Sequence, residues 1–414
     1  MIRLVFTATL LLFSASSAIL QGQTNWPEFR GPTADGKTSL ELPSKVDSDN
    51  VKWETPIHGK GWSSPVVWDD QIWLTTATKD GKKMSVLCVD AESGKVLRDE
   101  VLHENKEPAF CHPTNSYASP TPAIEDGRVY LHFGSYGTTC MDTKTGEHIW
   151  QRLDLECDHF RGPASSPILH ENLLIVALDG FDHQYVIALD KATGETVWKT
   201  DREIKYGTDN GDLKKAYGTG AIFEVDGKPI LIYPSAVATI AYEPKTGKPI
   251  WTVYHEGMNA SARPVRGKNG VVVITNGMGK MVGVNPSGSG DITEKNIVWT
   301  QTKGAAKKPS QIVIDDHLFT VGDKGIVTCL DMNTGLPTWQ QRVGGAYSAS
   351  PVFDGTKMLA LSEGGDVLIF KPNSESYEQV SKTKLGQGFK SSPAIAGDNL
   401  ILRGFSKLYC ISNK

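Results

Sequence analysis

Between Pro167 and Lys199, apolar and polar residues fall into four short β-like runs: 167–170, 173–178, 185–189 and 196–199. Turn signals separate them, and the third run leads into Asp190-x-x-Thr193-Gly194-x-x-x-Trp198. Asp190 can accept hydrogen bonds from backbone N–H groups two residues on, and Gly194 can adopt positive φ. The Trp offers a large apolar face to whatever packs beside it.

The same corner returns as Asp142…Gly146…Trp150, Glu243…Gly247…Trp251 and Asp331…Gly335…Trp339, with degenerate copies from Asp90 to Leu97 and from Asn285 to Trp299. Ahead of the corners, strands are entered through Ser64-Pro65, Ser119-Pro120, Ser166-Pro167, Ser350-Pro351 and Ser392-Pro393. Arg263-Pro264 is a variant, and Gly220 and Gln311 hold the proline position in two more copies. Successive entries lie 40 to 55 residues apart. Four strands in each of eight repeats of about 45 residues predict an all-β, eight-bladed β-propeller of four-stranded antiparallel blades. The last copy ends at Ser412 without a Gly…Trp strand, whereas Val51-Lys52-Trp53-Glu54 precedes the first entry. Residues near 51–57 are therefore expected to complete the final blade and close the ring.

Arg3, the apolar run 4–13 and Ser16-Ser17-Ala18 read as a secretory signal. The expected organisation is a signal peptide over 1–23, an N-terminal extension over 24–50 and a propeller over 51–414. The run is too short to span a membrane, and no Cys follows it as a lipidation point, so a periplasmic or secreted protein is expected. The 414 residues carry a formal net charge of −4, which favours neither nucleic acid nor an anionic membrane.

Of six cysteines, Cys88, Cys140, Cys329 and Cys410 each stand two residues before a corner, where Ala188, Ala241 and Gly283 stand in other repeats. The position calls for a small packed residue. Cys111 and Cys157 lie 9 and 10 residues before Pro120 and Pro167, and His112 and His159 lie 8 before them. Three readings stay open: unpaired loop residues, a Cys111–Cys157 disulfide, or a metal site of Cys111, His112, Cys157 and His159.

Loops leading into the innermost strands line one mouth of a propeller channel. Three residues before the entry prolines, or one residue further back, stand Trp62, Tyr117, Tyr217, Lys308, Tyr347 and Lys390, with Asn115, Arg161 and Arg263 nearby. Aromatic faces beside cations suit a planar anion, a sugar or a partner peptide. The plainer alternative is packing between blades. Asp69-Asp70 and Asp315-Asp316 read as turns rather than paired acids. Residues 286–294 read as a flexible insertion. No catalytic residue is identified.

On its Asp-x-x-Thr-Gly-x-x-x-Trp corners at 142–150, 190–198 and 331–339, with the Ser-Pro entries, the chain resembles the pyrroloquinoline-quinone (PQQ)-like β-propeller family. Asn25-Trp26-Pro27-Glu28-Phe29-Arg30-Gly31-Pro32 and Gly61-Trp62-Ser63-Ser64-Pro65 look like an exported subgroup common in planctomycete-type bacteria. The resemblance implies one of two roles. Quinoprotein dehydrogenases of the family hold PQQ and Ca²⁺ in the funnel and oxidise alcohols or sugars, and many carry adjacent cysteines or a Cys-x-x-Cys-His haem site. This sequence has neither motif. Other members, similar to the propeller lipoprotein of outer-membrane assembly, bind proteins. The expectation is a non-catalytic binding or assembly module with a protein or glycan partner. A PQQ-dependent dehydrogenase and a carbohydrate-binding or carbohydrate-active propeller are the alternatives.

Overall fold

A computed structural model describes residues 25–412; the expected signal segment lies outside the described residues. Among the described residues, eight sheets form the blades of a propeller, each with four antiparallel strands and one with a short parallel fifth strand added at its edge. Blade 3 has strands Ile168–His170, Leu173–Asp179, Gln184–Asp190 and Thr196–Asp201, matching the four expected runs. The ring closes as expected. Val51–Pro56 pairs with Lys407–Ser412 as the outer strand of blade 8, and Trp53 sits opposite Cys410 as Trp150 sits opposite Cys140.

The corner motif is the seam between blades. Six tryptophans donate from Nε1 to a corner carbonyl of the next blade: Trp53 to Ala91, Trp150 to Lys191, Trp198 to Pro244, Trp251 to Pro286, Trp299 to Met332 and Trp339 to Asn373. Four of these indoles, Trp53, Trp150, Trp198 and Trp299, also cover the corner glycine of that next blade, Gly94, Gly194, Gly247 and Gly335. A Cβ on Gly194, whose φ is 75°, would lie 2.6 Å from Trp150. Glycine is thus required both for its backbone conformation and for the approach of the ring. Blade 1 has Arg98 opposite Cys88, and its guanidinium makes the equivalent reach to Thr145 O at 2.9 Å. Blade 7 has Ser381 there, which donates instead to Ser44 O of the N-terminal extension at 2.7 Å.

Two sequence expectations are corrected here. Blade 2 is entered at Thr121-Pro122, not Ser119-Pro120, because its first strand is Ala123–Glu125. Residues 286–294 are not a free loop: Gly290–Asp291 adds in parallel to the outer strand of blade 4, and Asp291 accepts from the Thr293 N–H and hydroxyl. Asp69 and Asp315 occupy left-handed turn positions at φ 52° and 49°, as turn residues should.

The extension is a strap across the channel mouth opposite the entry loops. Trp26 bridges to Val67 of blade 1, and Pro27 O accepts from Ile124 of blade 2. Arg30 donates to Gln311 O of blade 6 at 2.7 Å, and Lys37 bridges to Phe353 of blade 7. The strap then runs along blade 7, where Leu42 N donates to Asp354, before it becomes the closing strand.

Candidate binding site at the channel mouth

The residue just before each entry proline position faces the channel axis, and these residues bond to one another in a ring. Backbone N–H groups of Ser64, Thr121 and Ser166 donate to the hydroxyls of Thr121, Ser166 and Thr219. Those of Arg263, Ser310, Ser350 and Ser392 donate to Ser310, Ser350, Ser392 and Ser64. Seven of the eight blade junctions are stitched this way. The eighth lies between blades 4 and 5, where Arg263 replaces the hydroxyl residue and its Nε donates to Gly220 O at 2.8 Å. The repeated small hydroxyl residue is therefore a structural stitch.

Below this ring the strap closes the channel. Arg263 Nη1 donates to Phe29 O at 2.6 Å and Nη2 to the Glu28 carboxylate at 2.9 Å. The arginine is 2 % exposed, so the sequence expectation that it faces an open funnel is corrected: it is a buried clamp on the strap. Phe29 forms part of the floor of a cavity of about 330 Å³ that opens at the other mouth.

With blade 2 placed in its true register, the residue three before each entry position is Trp62, Ser119, Ala164, Tyr217, Ser261, Lys308, Ser348 and Lys390. All eight line this cavity, together with Asn115 and Arg161. The two-residue slip explains why Tyr117 was singled out: its hydroxyl donates to Ala109 O, and its ring packs on Tyr136 in the core of blades 1 and 2. Tyr347 is fully buried between blades 6 and 7. Neither tyrosine lines the cavity. Asn115 holds its own loop, donating to Arg161 O at 2.9 Å and Gly162 O at 3.1 Å.

Lys308 and Lys390 are not bare cations. Glu363, which the sequence reading passed over, lies 3.6 Å from Lys308 and 3.5 Å from Lys390 and accepts from Ser348 Oγ. Burial opposes ionisation of this carboxyl, but Ser348 and the two lysines outweigh it and hold its pKa below the ordinary value. Lys390 lies 5.2 Å above the Trp62 ring and Lys60 5.4 Å from it, while Phe405 packs beside it at 5.3 Å. Arg161 and the buried Lys215 share Asp212.

Cys111 and Cys157 are both free thiols in separate surroundings. Cys111 Sγ faces Arg161 O at 3.6 Å, and Cys157 Sγ lies 3.6 Å from His159 Nδ1. Their apparent equivalence came from the same slip: Cys111 stands 11 residues before Pro122, not 9 before an entry proline. His112 bonds Thr114, and His159 Nε2 accepts from Ser135 N. Among the described residues, no three His, Cys, Asp or Glu side chains are grouped to hold a metal ion. Cys88, Cys140, Cys329 and Cys410 are buried in their strands, and burial pushes Cys88, Cys140 and Cys410 up to about 12.

Ca²⁺ asks for a set of oxygen donors with carboxylates among them. No carboxylate is among the residues lining the cavity, and the Asn115 amide oxygen already accepts from Ser119 Oγ at 2.6 Å. The residues present do not fit PQQ with Ca²⁺.

The ring of stitched blades with a strapped channel defines a PQQ-type propeller. The chain belongs to the family described as outer membrane protein assembly factor BamB, whose model matches residues 44–181 and 182–414. It is 23% identical over 255 residues to BamB of Vibrio cholerae serotype O1, an alignment covering 50% of this chain and 62% of the relative, less than two thirds of its length. Among solved structures, BamB from Moraxella catarrhalis superimposes with a TM-score of 0.60 at 12% identity, covering 87% of this chain and 99% of that one. A europium-containing methanol dehydrogenase superimposes with a TM-score of 0.69 at 10% identity, covering 95% and 99%. At such identities these likenesses show the fold alone. None of the three matches bears on the planctomycete-type subgroup. Among the described residues, no helix is long and apolar enough to cross a membrane.

Proposed function

We propose that this protein is an exported, periplasmic or secreted propeller that binds a protein partner and serves outer-membrane protein assembly, without catalysis of its own. The observation that carries this reading is the charge arrangement at the open mouth. Lys308 and Lys390 already share Glu363, and no carboxylate lines the cavity to hold Ca²⁺ for a quinone. A pre-formed concave mouth on a rigid ring remains, which is the geometry of a docking site. Family membership supplies the assembly context. The likeness to methanol dehydrogenase does not carry over, because it rests on the fold and the cavity lacks the matching donors.

Deleting the gene in its native host is expected to lower the amount of folded outer-membrane protein, with recovery on re-expression. An unchanged outer-membrane profile, together with dye-linked oxidation of alcohols or aldoses by the purified protein, would overturn the reading. N-terminal sequencing of the purified protein tests export: a start downstream of Ala18 is expected.

A further inference from the structure

Beside the cavity, three phenylalanines from three different loops stand together at the surface. Phe110 is 58% exposed and Phe181 40% exposed, while Phe160 lies half-buried between them. Ring centroids are 6.0 Å apart for Phe110 and Phe160 and 5.6 Å for Phe160 and Phe181. Phe160 holds this place at φ 55°, a left-handed conformation that a bulky side chain seldom adopts. Asp158 fixes the turn by accepting from Phe160 N at 2.8 Å. The shelf is continuous with the cavity, because Phe110 packs on His112, and His112 and Arg161 both line it.

The cavity wall next to this shelf is cationic. Arg161, Lys307, Lys308 and Lys390 line it, and no carboxylate does. Glu363 and Asp212 pair with some of these cations from outside the lining. Two donors at the mouth, Trp62 Nε1 and Arg161 Nε, are buried with no hydrogen-bond partner. Buried donors without acceptors are costly, so an acceptor brought by a ligand is favoured there. Asp158 and Asp182 flank the phenylalanines but do not line the cavity, and both accept backbone N–H bonds.

The opposite mouth already shows what such a channel can hold. There the chain's own Glu28-Phe29 is seated, with the carboxylate on Arg263 and Phe29 on the channel floor. From these observations we infer that the open mouth docks an extended, acidic peptide segment of a partner protein, its carboxylates turned to the Arg161 and lysine wall and a large apolar side chain laid on the Phe110–Phe160–Phe181 shelf. A peptide is favoured over an acidic glycan by the shape of the shelf. Its rings are tilted against each other by 60° and 34°, a ridge for an apolar side chain rather than one flat face for a sugar. The inference rests on the protein-binding reading above and names the class of partner.

The test is fluorescence anisotropy on the full exported protein. The probe is a labelled peptide of alternating Glu and Phe, with Lys-for-Glu and Ala-for-Phe counterparts and polygalacturonate as comparison ligands. The Glu/Phe probe should bind about tenfold more tightly than either counterpart and weaken with salt. Phe110→Ser and Arg161→Gln should each reduce binding severalfold at unchanged Tm; Phe181→Ser serves as a second shelf variant should Arg161→Gln fold poorly. Equal binding of the Lys-for-Glu peptide, indifference to both shelf variants, or polygalacturonate binding as tightly as the probe would each overturn the proposal. The broader reading fails separately. A host carrying Phe110→Ser with normal outer-membrane assembly and lost peptide binding would sink this site alone, whereas a deletion without phenotype would sink the assembly role.

Discussion

The two mouths of the channel share one ring of hydroxyl stitches yet treat charge in opposite ways. At the strapped mouth Arg263 is buried, bonded to Glu28, Phe29 O and Gly220 O, and has no freedom left. At the open mouth Lys308 is exposed, and its carboxylate neighbour is shared with Lys390. The first arrangement is a closed structural joint, in which removing one partner strands the other in a dry site. The second is open to solvent at Lys308, with Lys390 and Glu363 more covered, and keeps charge at the cavity wall as a docking surface should.

This contrast can be broken most directly by matched substitutions. Arg263→Ala should cost about 3–5 kcal/mol, because it leaves the Glu28 carboxylate and two carbonyls without their donor. Limited proteolysis should then cut within residues 25–50, which the folded protein protects. Lys308→Gln should change stability by less than about 1 kcal/mol. If thermal melts show equal losses, the strap is not the lock that its contacts describe.

Much of this was legible in the sequence, because repetition turns one correct reading into eight. The corner motif disclosed the blades, and the missing last strand was found at 51–56 by the same logic. The rule that places a residue three before the entry proline picks out the cavity lining in every blade once the register is right. It slipped at blade 2 because Ser119-Pro120 imitates an entry two residues before the true one at Thr121-Pro122, and no local signal separates the two. The choice of Tyr117 and the apparent equivalence of Cys111 and Cys157 both followed from that slip. Arg263 was misplaced for a different reason: its partners, Glu28 and Phe29, are more than 230 residues away in the chain. Glu363 escaped notice because it stands on a loop outside the repeated phrase and acquires its meaning from Lys308 and Lys390 of other blades. Single-copy residues that answer one another across the ring leave no periodic trace.

Acid should separate the mouths next. Burial lowers the pKa of His103, His159 and His255 to about 4 and that of His132 to about 3, where neighbouring imidazoles add to the effect. The unfolded chain takes up these protons near pH 6.5, so it binds more protons than the folded chain between that value and about pH 4. Stability is therefore whole above about pH 6.5 and declines as pH falls through the window, by about 1.4 kcal/mol per pH unit for each histidine. The strap over 25–50 contains no histidine, whereas His159 sits in a loop beside the open mouth. Hydrogen exchange at pH 5 should thus rise around residues 155–163 before it rises in the strap. A Tm that stays flat from pH 7 to pH 5, or a strap that loosens first, would contradict this ordering.

The smallest expected effect is also the most discriminating. Glu363→Gln keeps the shape of the side chain and can still accept from Ser348, but it removes the one carboxylate between Lys308 and Lys390. The Lys308 pair is solvated while Lys390 and Glu363 are largely covered, and the amide keeps the Ser348 bond, so stability should fall by only about 1 kcal/mol. With the counter-charge gone, the lysines present more positive potential to the cavity, and an acidic peptide should bind a few fold more tightly at low salt, the gain fading as salt is added. Anisotropy titrations at two ionic strengths would show it. If binding weakens instead, Glu363 orients the lysines rather than masking them. The open mouth would then be a pre-arranged charge joint of the same kind as Arg263 with Glu28, and the distinction between the two ends of the channel would lie in exposure alone.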